Sequence, residues 1–352
     1  MIKKRISRIQ KHLENGDMFY IADPANIFYF SGFTGTFARL IIYPKKAVFI
    51  TDSRYQGAVK KSGIEKAYKV IITKDLKTDI EKMIRPVKKI YFPFTTPLRD
   101  YLNLKKRKIK TAVSGIPDEI RMIKDEKELE CIKKAASITA KGIIHIADNL
   151  KAGADESGLA AEFEYYIKKQ GADGVSFRPI IAFNENSAIP HSVNSDKKLA
   201  KNTLVLMDCG VKYKGYCSDL TRCIAFGIIG ARLKKIKKNY EIVRKTKQYS
   251  AGFFKPNALI KNADAEARVF LKKHGLEKLF THSLGHSMGI DIHEQPFINA
   301  KENRRFRQGM VFTCEPGIYF EGSYGIRIED DYVITKKGAE KIGAFSDKLI
   351  LR

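Results

Sequence analysis

The sequence predicts an α/β protein of two domains, and three features lead to that prediction. The chain has 352 residues, whereas single domains usually span roughly 100–200 residues. Short apolar runs alternate with helical stretches over about the first 115 residues. The pattern then breaks near residues 114–117, and a long helical pattern begins at residue 125. We therefore assign residues 1–118 to a smaller amino-terminal domain and residues 119–352 to a larger second domain.

Four strands are predicted in the amino-terminal domain. Residues 38–43 and 47–51 are apolar runs on either side of a Pro-Lys-Lys turn. Two further apolar runs occupy residues 67–72 and 89–92. Because helical stretches separate several of these runs, the domain is predicted to be α/β in its own right.

Four helices are predicted in the second domain. The first begins at Asp125 and has apolar residues at helical spacing, which are Leu129, Ile132, Ala136, Ile143 and Ile146. The second runs over residues 155–170 and ends at Gly171. Two more are expected at residues 233–252 and 263–274, and the segments between the helices have the composition of strands.

Two neighbouring apolar strands in the second domain each contain one acidic residue, Asp208 in the first and Asp219 in the second. If Tyr213 and Lys214 form a two-residue hairpin loop, antiparallel partners have residue numbers that total 427. Asp208 then lies directly opposite Asp219, with the two β-carbons about 5 Å apart.

A second acidic hairpin is predicted near the carboxyl end of the chain. Its two apolar strands flank a turn centred on Gly322, and partners whose numbers total 644 pair Glu315 with Glu329. Like charges that face each other destabilise a sheet, and their burial raises the pKa of both groups. Bound cations would offset that cost, so the two hairpins together predict a metal site.

Three of the seven histidines fall within twelve residues between the hairpins, and they are His282, His286 and His293. Gly285 and Gly289 bracket His286, which allows backbone and imidazole to approach a crowded site. Four carboxylates and one imidazole suit a pair of Mn, Co, Fe or Zn ions. Two ions about 3.5–4 Å apart can hold a bridging hydroxide and polarise a carbonyl, so the predicted chemistry is metal-assisted hydrolysis.

These motifs resemble the pita-bread metallopeptidases, in particular the Xaa-Pro aminopeptidase and prolidase branch. The matching segments are residues 207–210 (MDCG), 216–222 (YCSDLTR), 285–289 (GHSMG), 293–296 (HEQP), 313–317 (TCEPG) and 325–330 (GIRIED). Residues 31–35 (SGFTG) and 52–55 (DSRY) look like the amino-terminal domain of the creatinase-type subgroup. The resemblance extends over essentially the whole chain. It implies a catalytic domain in which helices back a curved antiparallel sheet, and it implies a homodimer.

The resemblance also implies the metal ligands. Two divalent ions would be held by five residues, which are Asp208, Asp219, His286, Glu315 and Glu329. Asp219 and Glu329 correspond to carboxylates that bridge the two ions. Glu315 resembles the residue that takes a proton from the bridging water and passes it to the leaving proline nitrogen.

Contacts with a proline-containing peptide follow from the same resemblance. His293 and His282 match positions that bind substrate by hydrogen bonds and stabilise the developing oxyanion. His191 matches a substrate-binding histidine, and Phe177 is a candidate for the pocket wall. Arg327 matches an arginine that supports the site through a ligand or a nearby acid, and we place it among the substrate-binding residues.

The residue after the HEQP segment bears on substrate length. A dipeptidase must anchor the free carboxylate of proline, usually with a cation, but this position is Phe297. We therefore favour an Xaa-Pro aminopeptidase over an Xaa-Pro dipeptidase (prolidase). The dipeptidase stays open, because Lys301, Arg304 or Arg178 could supply the cation. Ser287 departs from the glycine that the family more often has after the ligand histidine, without removing a ligand.

The net charge of +26 raises an alternative of a different class, a catalytically silent binding module that takes nucleic acid. The 65 cations comprise 47 Lys and 18 Arg, and Lys is the weaker choice for bidentate recognition of phosphate. Retention of all five ligand positions also argues against a silent module. We therefore expect the excess of Lys to be a solvated surface.

Cysteine content and hydropathy bear on the compartment. Five cysteines without a Cys-x-x-Cys spacing fit a reducing environment, and strand alternation points Cys209 and Cys314 away from the ligands into the core. No run of about 18 apolar residues predicts a membrane span. The first fifteen residues lack the apolar core of a signal peptide. We expect a soluble protein of the cytoplasm.

Overall fold

The chain divides into two compact units, Met1–Arg121 and Met122–Arg352. The structure is a computed structural model, and it describes residues 1–107 and 109–352. Each unit combines helices with β-sheet, which confirms the predicted mixed α/β class. Among the described residues, no helix is both long enough and apolar enough to cross a membrane.

The first unit contains one sheet of six strands in the order β4-β3-β2-β1-β5-β6. Its strands are β1 (Asp17–Ile21), β2 (Arg39–Ile42), β3 (Ala47–Asp52), β4 (Lys69–Thr73), β5 (Lys89–Phe92) and β6 (Lys110–Val113). Its helices are α1 (Ile2–Gln10), α2 (Pro24–Ser31), α3 (Gln56–Ser62), α4 (Leu76–Ile84) and α5 (Leu98–Lys105), and α6 (Ile116–Met122) contains the point where the units divide. The four predicted strands are confirmed as β2 to β5. The sequence analysis predicted neither β1, which is buried at all five residues, nor β6 at the edge of the sheet.

Four long helices belong to the second unit, as predicted. They are α7 (Glu126–Asp148), α8 (Glu156–Lys169), α9 (Gly230–Ala251) and α10 (Ile260–Lys273). The start of α7 is fixed by a capping box, in which the Asp125 side chain accepts from the Glu128 N–H and the Glu128 side chain accepts from the Asp125 N–H. The Asp155 carboxylate caps α8 in a similar way by accepting from the Gly158 N–H.

Fourteen strands complete the second unit. They are β7 (Gly174–Val175), β8 (Ile180–Phe183), β9 (Thr203–Cys209), β10 (Val211–Tyr213), β11 (Tyr216–Cys217), β12 (Leu220–Phe226), β13 (Gly285–Ser287), β14 (Glu294–Ile298), β15 (Val311–Cys314), β16 (Gly317–Phe320), β17 (Tyr324–Arg327), β18 (Asp330–Thr335), β19 (Gly338–Lys341) and β20 (Ile350–Leu351). The larger sheets run β20-β12-β9-β8 and β14-β13-β15-β18-β19, and the smaller ones β11-β10-β7 and β16-β17. All their paired strands are antiparallel except β12 with β20.

Helices cover both faces of the β9–β12 pair, which explains why its residues are apolar. Leu204 and Leu206 pack into a core that includes residues of α9 and α10. Val205 and Met207 point the opposite way, into a core that includes residues of α7 and α8. Cys209 lies in this second core and Cys314 lies in the first, so the prediction that both are core residues is confirmed.

The predicted register of the first hairpin is wrong by one residue in each strand. The two-residue loop is Lys214-Gly215, not Tyr213-Lys214, because both loop residues have positive φ (47° and 81°), as the favoured hairpin turn requires. Partner numbers therefore total 429, and Asp208 pairs with Thr221 instead of Asp219.

The predicted register of the second hairpin is confirmed. Gly317 pairs with Arg327 in the β16–β17 ribbon, and Cys314 pairs with Asp330 where β15 meets β18. Both pairs have numbers that total 644. The same register therefore applies on both sides of the segments that contain Glu315 and Glu329.

Candidate metal centre

Acidic and imidazole side chains from the two hairpins and the histidine segment converge in the second unit. The ligand-type atoms of Asp219, His286 and Glu329 all lie within 4.8 Å of one another. His286 Nε2 lies 3.7 Å from Asp219 Oδ2 and 3.7 Å from Glu315 Oε1. Asp208 lines the same cavity, whose volume is about 540 Å³. The structure thus brings together all five predicted ligand residues.

Thr221 joins the strands that bear three of these carboxylates. On one side of β12 it pairs with Asp208 of β9, and on the other it forms an antiparallel bridge with Glu329. Thr221 Oγ1 also donates a 2.6 Å hydrogen bond to Glu329 Oε2. Asp219 lies two residues before Thr221. Its backbone N–H donates to the buried Asp331 carboxylate at 3.1 Å.

Hydrogen bonds fix the protonation of His286. Its Nδ1 lies 3.1 Å from the carbonyl oxygen of Ser287, and because a carbonyl oxygen only accepts, Nδ1 bears the proton. The lone pair of Nε2 therefore faces Asp219 and Glu315. Burial, with a smaller effect of His293, lowers the pKa of His286 to about 3, so the ring is neutral at neutral pH. A neutral imidazole is the form that binds metal ions.

Burial raises the pKa of three carboxyl groups at the site. It raises the pKa of Asp219 and Glu315 well above their usual values, and it raises that of Glu329 to about 8, with neighbouring carboxylates adding to each shift. Asp208 Oδ1, Asp219 Oδ1 and Glu329 Oε1 are buried and have no hydrogen-bond partner among the described residues. Unpaired buried carboxylate oxygens are costly, and divalent cations would supply the missing partners. The donor set therefore fits divalent metal ions.

Thr313 connects the histidine segment to Glu315. Its hydroxyl accepts a hydrogen bond from the His286 N–H at 3.1 Å and donates to Glu315 Oε1 at 3.4 Å. The Glu315 N–H in turn donates to the Leu284 carbonyl at 2.9 Å. Gly285 is required here, because a β-carbon at that position would lie 2.3 Å from the Thr313 carbonyl oxygen.

Arg327 acts on the site through a ligand, as one of the predicted alternatives states. Its Nη2 donates to Asp208 Oδ2 at 2.6 Å, and its Nη1 donates to the Tyr319 hydroxyl at 2.7 Å. A third bond runs from Nε to Thr221 Oγ1 at 3.2 Å. This buried guanidinium therefore holds Asp208 in a fixed orientation.

His282 is engaged at both ring nitrogens. Its Nδ1 lies 2.9 Å from the Ser283 carbonyl oxygen and so donates, which leaves Nε2 to accept the proton of the Tyr319 hydroxyl at 2.8 Å. Burial, with the nearby Arg327 charge, lowers the pKa of His282 to about 3. The contact of His282 with a substrate oxygen stays a prediction, and it would require one of these two hydrogen bonds to open.

The other predicted substrate residues line the same cavity, and they are Phe177, His191 and His293. The His293 ring lies 4.4 Å from the His286 ring and is stacked on Phe297 at 6.3 Å, measured between ring centroids. Of the three candidate cations, Arg178 lines the cavity. Lys301 and Arg304 are not among its described lining residues, and Arg304 is paired with Glu302.

Sequence reasoning missed several side chains that hold the site. Thr221 and Thr313 each lie two residues from a ligand, so strand alternation could have identified them. Tyr319 had no such signal, because its role depends on the fold of β16. Lys124 forms a buried ion pair with Glu294 at 3.0 Å across 170 residues of chain, a contact that only the folded structure shows.

The Glu294 side chain stabilises the loop before His293. It accepts hydrogen bonds from the backbone N–H groups of Ile290 (3.1 Å) and Asp291 (3.4 Å). A β-carbon on Gly289 would lie 2.9 Å from the same carboxylate. Glycine at this position therefore allows Glu294 to fold back against the loop.

Comparison with known proteins identifies related sequences and folds. Residues 130–336 match metallopeptidase family M24, and residues 5–123 match the creatinase/prolidase N-terminal domain. The chain is 32% identical to the Xaa-Pro dipeptidase of Pyrococcus furiosus over 97% of this chain and 98% of the relative.

Solved structures resemble the chain along its whole length. One is the Xaa-Pro dipeptidase of Bacillus anthracis, with a TM-score of 0.93, 32% identity and full coverage of both chains. Another is the X-Pro aminopeptidase of Thermotoga maritima, with a TM-score of 0.89 and 31% identity over 98% of this chain and all of the other. These similarities confirm the predicted pita-bread fold.

Proposed function

The chain belongs to metallopeptidase family M24, and we propose that it removes the residue that precedes proline at the amino terminus of peptides longer than two residues. The chain is thus a metal-dependent peptidase, and the proposal concerns its substrate. One observation favours the longer substrate. The position after the HEQP segment is Phe297, stacked on His293, so this part of the cavity wall offers an apolar ring where a dipeptidase needs a cation.

We propose that two divalent ions bind to the five converging residues, with Asp219 and Glu329 shared between them. Divalent ions in such a site supply an activated water nucleophile and polarise the scissile carbonyl. The unpaired oxygens of Asp208, Asp219 and Glu329 favour this assignment. Donor type alone does not select among Mn, Co, Fe and Zn.

The proton shuttle is assigned to Glu315. Its carboxylate lines the cavity with the other candidate ligands and lies 3.7 Å from His286 Nε2, within reach of a water bound at the site. It would take the proton of the attacking water and give it to the proline nitrogen as the peptide bond breaks. Its hydrogen bonds to Thr313 and Leu284 hold it in place.

Substrate positioning is assigned to residues that line the cavity. The exposed His293 ring lies 4.4 Å from the His286 ring, measured between centroids, and its N–H can donate to a peptide carbonyl. His191 and Phe177 line the same cavity, and we assign both to contact with the substrate. Arg327 contributes by fixing Asp208.

A direct kinetic comparison tests the proposal. An Xaa-Pro-Xaa tripeptide and an Xaa-Pro dipeptide are assayed with Mn, Co or Zn, and an Xaa-Ala-Xaa tripeptide serves as the control for proline specificity. The expected result is a higher kcat/KM for the Xaa-Pro-Xaa tripeptide. A strong preference for the dipeptide would instead establish an Xaa-Pro dipeptidase, the activity for which the Pyrococcus furiosus and Bacillus anthracis proteins are named.

Further predictions concern the assembly. A creatinase-type domain over residues 1–118, a homodimer and a cytoplasmic location stay predictions. Light scattering of the purified protein tests the homodimer.

The silent binding module is the alternative of another class. A purified protein without a bound or activating divalent ion, and without activity on Xaa-Pro peptides, would favour that module.

A further inference from the structure

We propose that Arg178 binds the free carboxylate of the residue that follows proline, so that Xaa-Pro-Xaa tripeptides are the substrate class that the cavity takes best. This inference rests on the proposed function and deepens it. It assigns a specificity-determining role to a side chain outside the metal centre.

Arg178 lies at the boundary of two cavities. It lines the catalytic cavity together with the five candidate ligands. It also lines a second cavity of about 260 Å³ against α8, where Ala160, Glu164 and Asn194 are among its neighbours. The side chain of Arg178 is exposed, whereas Asp219 and Glu329 at the candidate metal centre are buried. Arg178 therefore stands at the rim of the catalytic cavity.

The charge of Arg178 is available for a ligand. Two arginines line the catalytic cavity, Arg178 and Arg327. The Arg327 guanidinium already donates hydrogen bonds to Asp208, Tyr319 and Thr221. Within the described part of the chain, Arg178 makes no hydrogen bond or ion pair. Glu164 lines the outer cavity, and it is the acidic side chain that would compete for Arg178 if either side chain moved.

The position of Arg178 indicates which carboxylate it would bind. The carboxylate of a dipeptide is attached to proline itself, beside the reacting bond, where Phe297 and His293 are stacked. One more residue extends the peptide by about 3.3–3.6 Å. A cation at the exposed rim is therefore suited to a carboxylate one residue beyond proline. The fork of donors in a guanidinium matches a carboxylate in a bidentate pair.

Product binding tests the anchor without requiring turnover. The probes are Pro-Leu and its amide, which has no carboxylate, and calorimetry measures their binding to the Mn-loaded protein. The wild type should bind Pro-Leu about tenfold more tightly than the amide. Arg178→Ala should abolish that difference and leave the affinity for the amide unchanged. Arg178→Lys should retain part of the difference, and Lys301→Ala, an exposed cation outside the cavity lining, should retain all of it.

Kinetics with Xaa-Pro-Leu and Xaa-Pro-Leu amide give the second readout. Arg178→Ala should raise the KM of the free acid about tenfold with little change in kcat. The proposal would be overturned if Arg178→Ala affected the acid and the amide equally or left the preference for the acid unchanged. It would also be overturned if the wild type bound neither probe, or if Arg178→Ala lost more activity on Xaa-Pro dipeptides than on Xaa-Pro-Leu. If the wild-type protein cleaves none of the peptides, the proposed function fails, and the binding experiment still decides the role of Arg178.

Discussion

Thr221 and Glu329 are joined twice, through an antiparallel backbone bridge and through a 2.6 Å hydrogen bond from the threonine hydroxyl to the glutamate carboxylate. The bridge connects the strand pair that contains Asp208 to the hairpin that contains Glu329. Two acidic segments that are 108 residues apart in the chain are thereby held in a fixed spacing. The hydrogen bond leaves the other carboxylate oxygen, Glu329 Oε1, without a partner and free for a cation.

Thr221→Val is expected to weaken metal binding by about tenfold, because groups that orient a metal ligand typically contribute 10–100-fold to affinity. Valine has nearly the same shape as threonine and keeps the backbone bridge, but it removes the donor to Glu329. Calorimetric titration with Mn²⁺ measures the change. Thr221→Ser keeps a hydroxyl and should bind Mn²⁺ nearly as the wild type does. Wild-type affinity in Thr221→Val would contradict the orienting role.

Removal of a ligand should separate metal binding from proton transfer. Asp208→Ala and Glu329→Ala are expected to lose bound metal and activity together. Glu315→Gln keeps an oxygen donor but cannot accept a proton, so it should retain some metal while turnover falls by about 10³-fold or more. Metal content by elemental analysis and kcat on an Xaa-Pro-Xaa peptide give the two readouts. Substantial turnover by Glu315→Gln would disprove the shuttle assignment.

The sequence was sufficient to predict much of the fold and to select the residues that converge. Long helices such as α7 have apolar residues at helical spacing and a capping residue at the start. The second hairpin has an unambiguous turn at Gly322. The first hairpin register was missed, because the sequence did not show which pair of residues adopts positive φ. Partners of the site such as Tyr319 and Lys124 depend on contacts between distant segments, which local patterns do not encode.

The metal-free protein is expected to lose stability as pH rises from about 5 to 8. Burial raises the folded-state pKa of Glu329 from 4.5 to about 8, and that of Asp219 and Glu315 also lies above its usual value. The folded state therefore binds more protons than the unfolded state in this window, and stability falls as those protons are lost. One pKa unit at one group corresponds to about 1.4 kcal/mol, or about 3–6 °C in Tm for a domain of this size.

Calorimetric scans in the presence of a chelator check this dependence. The Tm should fall by several degrees between pH 5 and pH 8, and addition of Mn²⁺ at pH 8 should restore it, because the ion binds the folded state. Glu329→Gln, which removes one titrating group, should show a smaller fall. A metal-free Tm that rises over the same range would contradict the burial of charged carboxylates.

Gly285→Ala is expected to damage the site. The added β-carbon would meet the Thr313 carbonyl oxygen at 2.3 Å and its hydroxyl at 2.8 Å, and both atoms must then move. Since that hydroxyl contacts both His286 and Glu315, their spacing should change, with a loss of activity of about 10²-fold. Gly57→Ala is the matched control, because a β-carbon on this helical glycine has nothing within 4 Å. Kinetics and metal titration of the two variants decide the matter, and equal activities would contradict the steric argument.

Asp330 lies at the centre of a buried ion cluster directly behind Glu329. Arg222 Nη2 lies 2.5 Å and Lys341 Nζ 3.0 Å from Asp330 Oδ1, and Lys247 contacts the other carboxylate oxygen. These cations hold the pKa of Asp330 below its usual value in spite of complete burial. The Arg222 guanidinium also donates to the Glu329 carbonyl at 2.6 Å, so the cluster fixes the backbone of a candidate ligand.

Asp330→Asn should lower the free energy of unfolding by about 3–5 kcal/mol, because it leaves buried cations without their shared counter-charge. Urea unfolding of the metal-free protein measures the loss. Glu241→Gln is the control, since Glu241 forms a partly exposed pair with Arg244 and its removal should cost less than about 1 kcal/mol. The stabilisation from Asp330 requires its ionised form, so it should be present above pH 3.8 and decline as pH falls through the lowered folded-state pKa. Asp330→Asn and Glu241→Gln with equal unfolding midpoints would show that the cluster does not stabilise the fold.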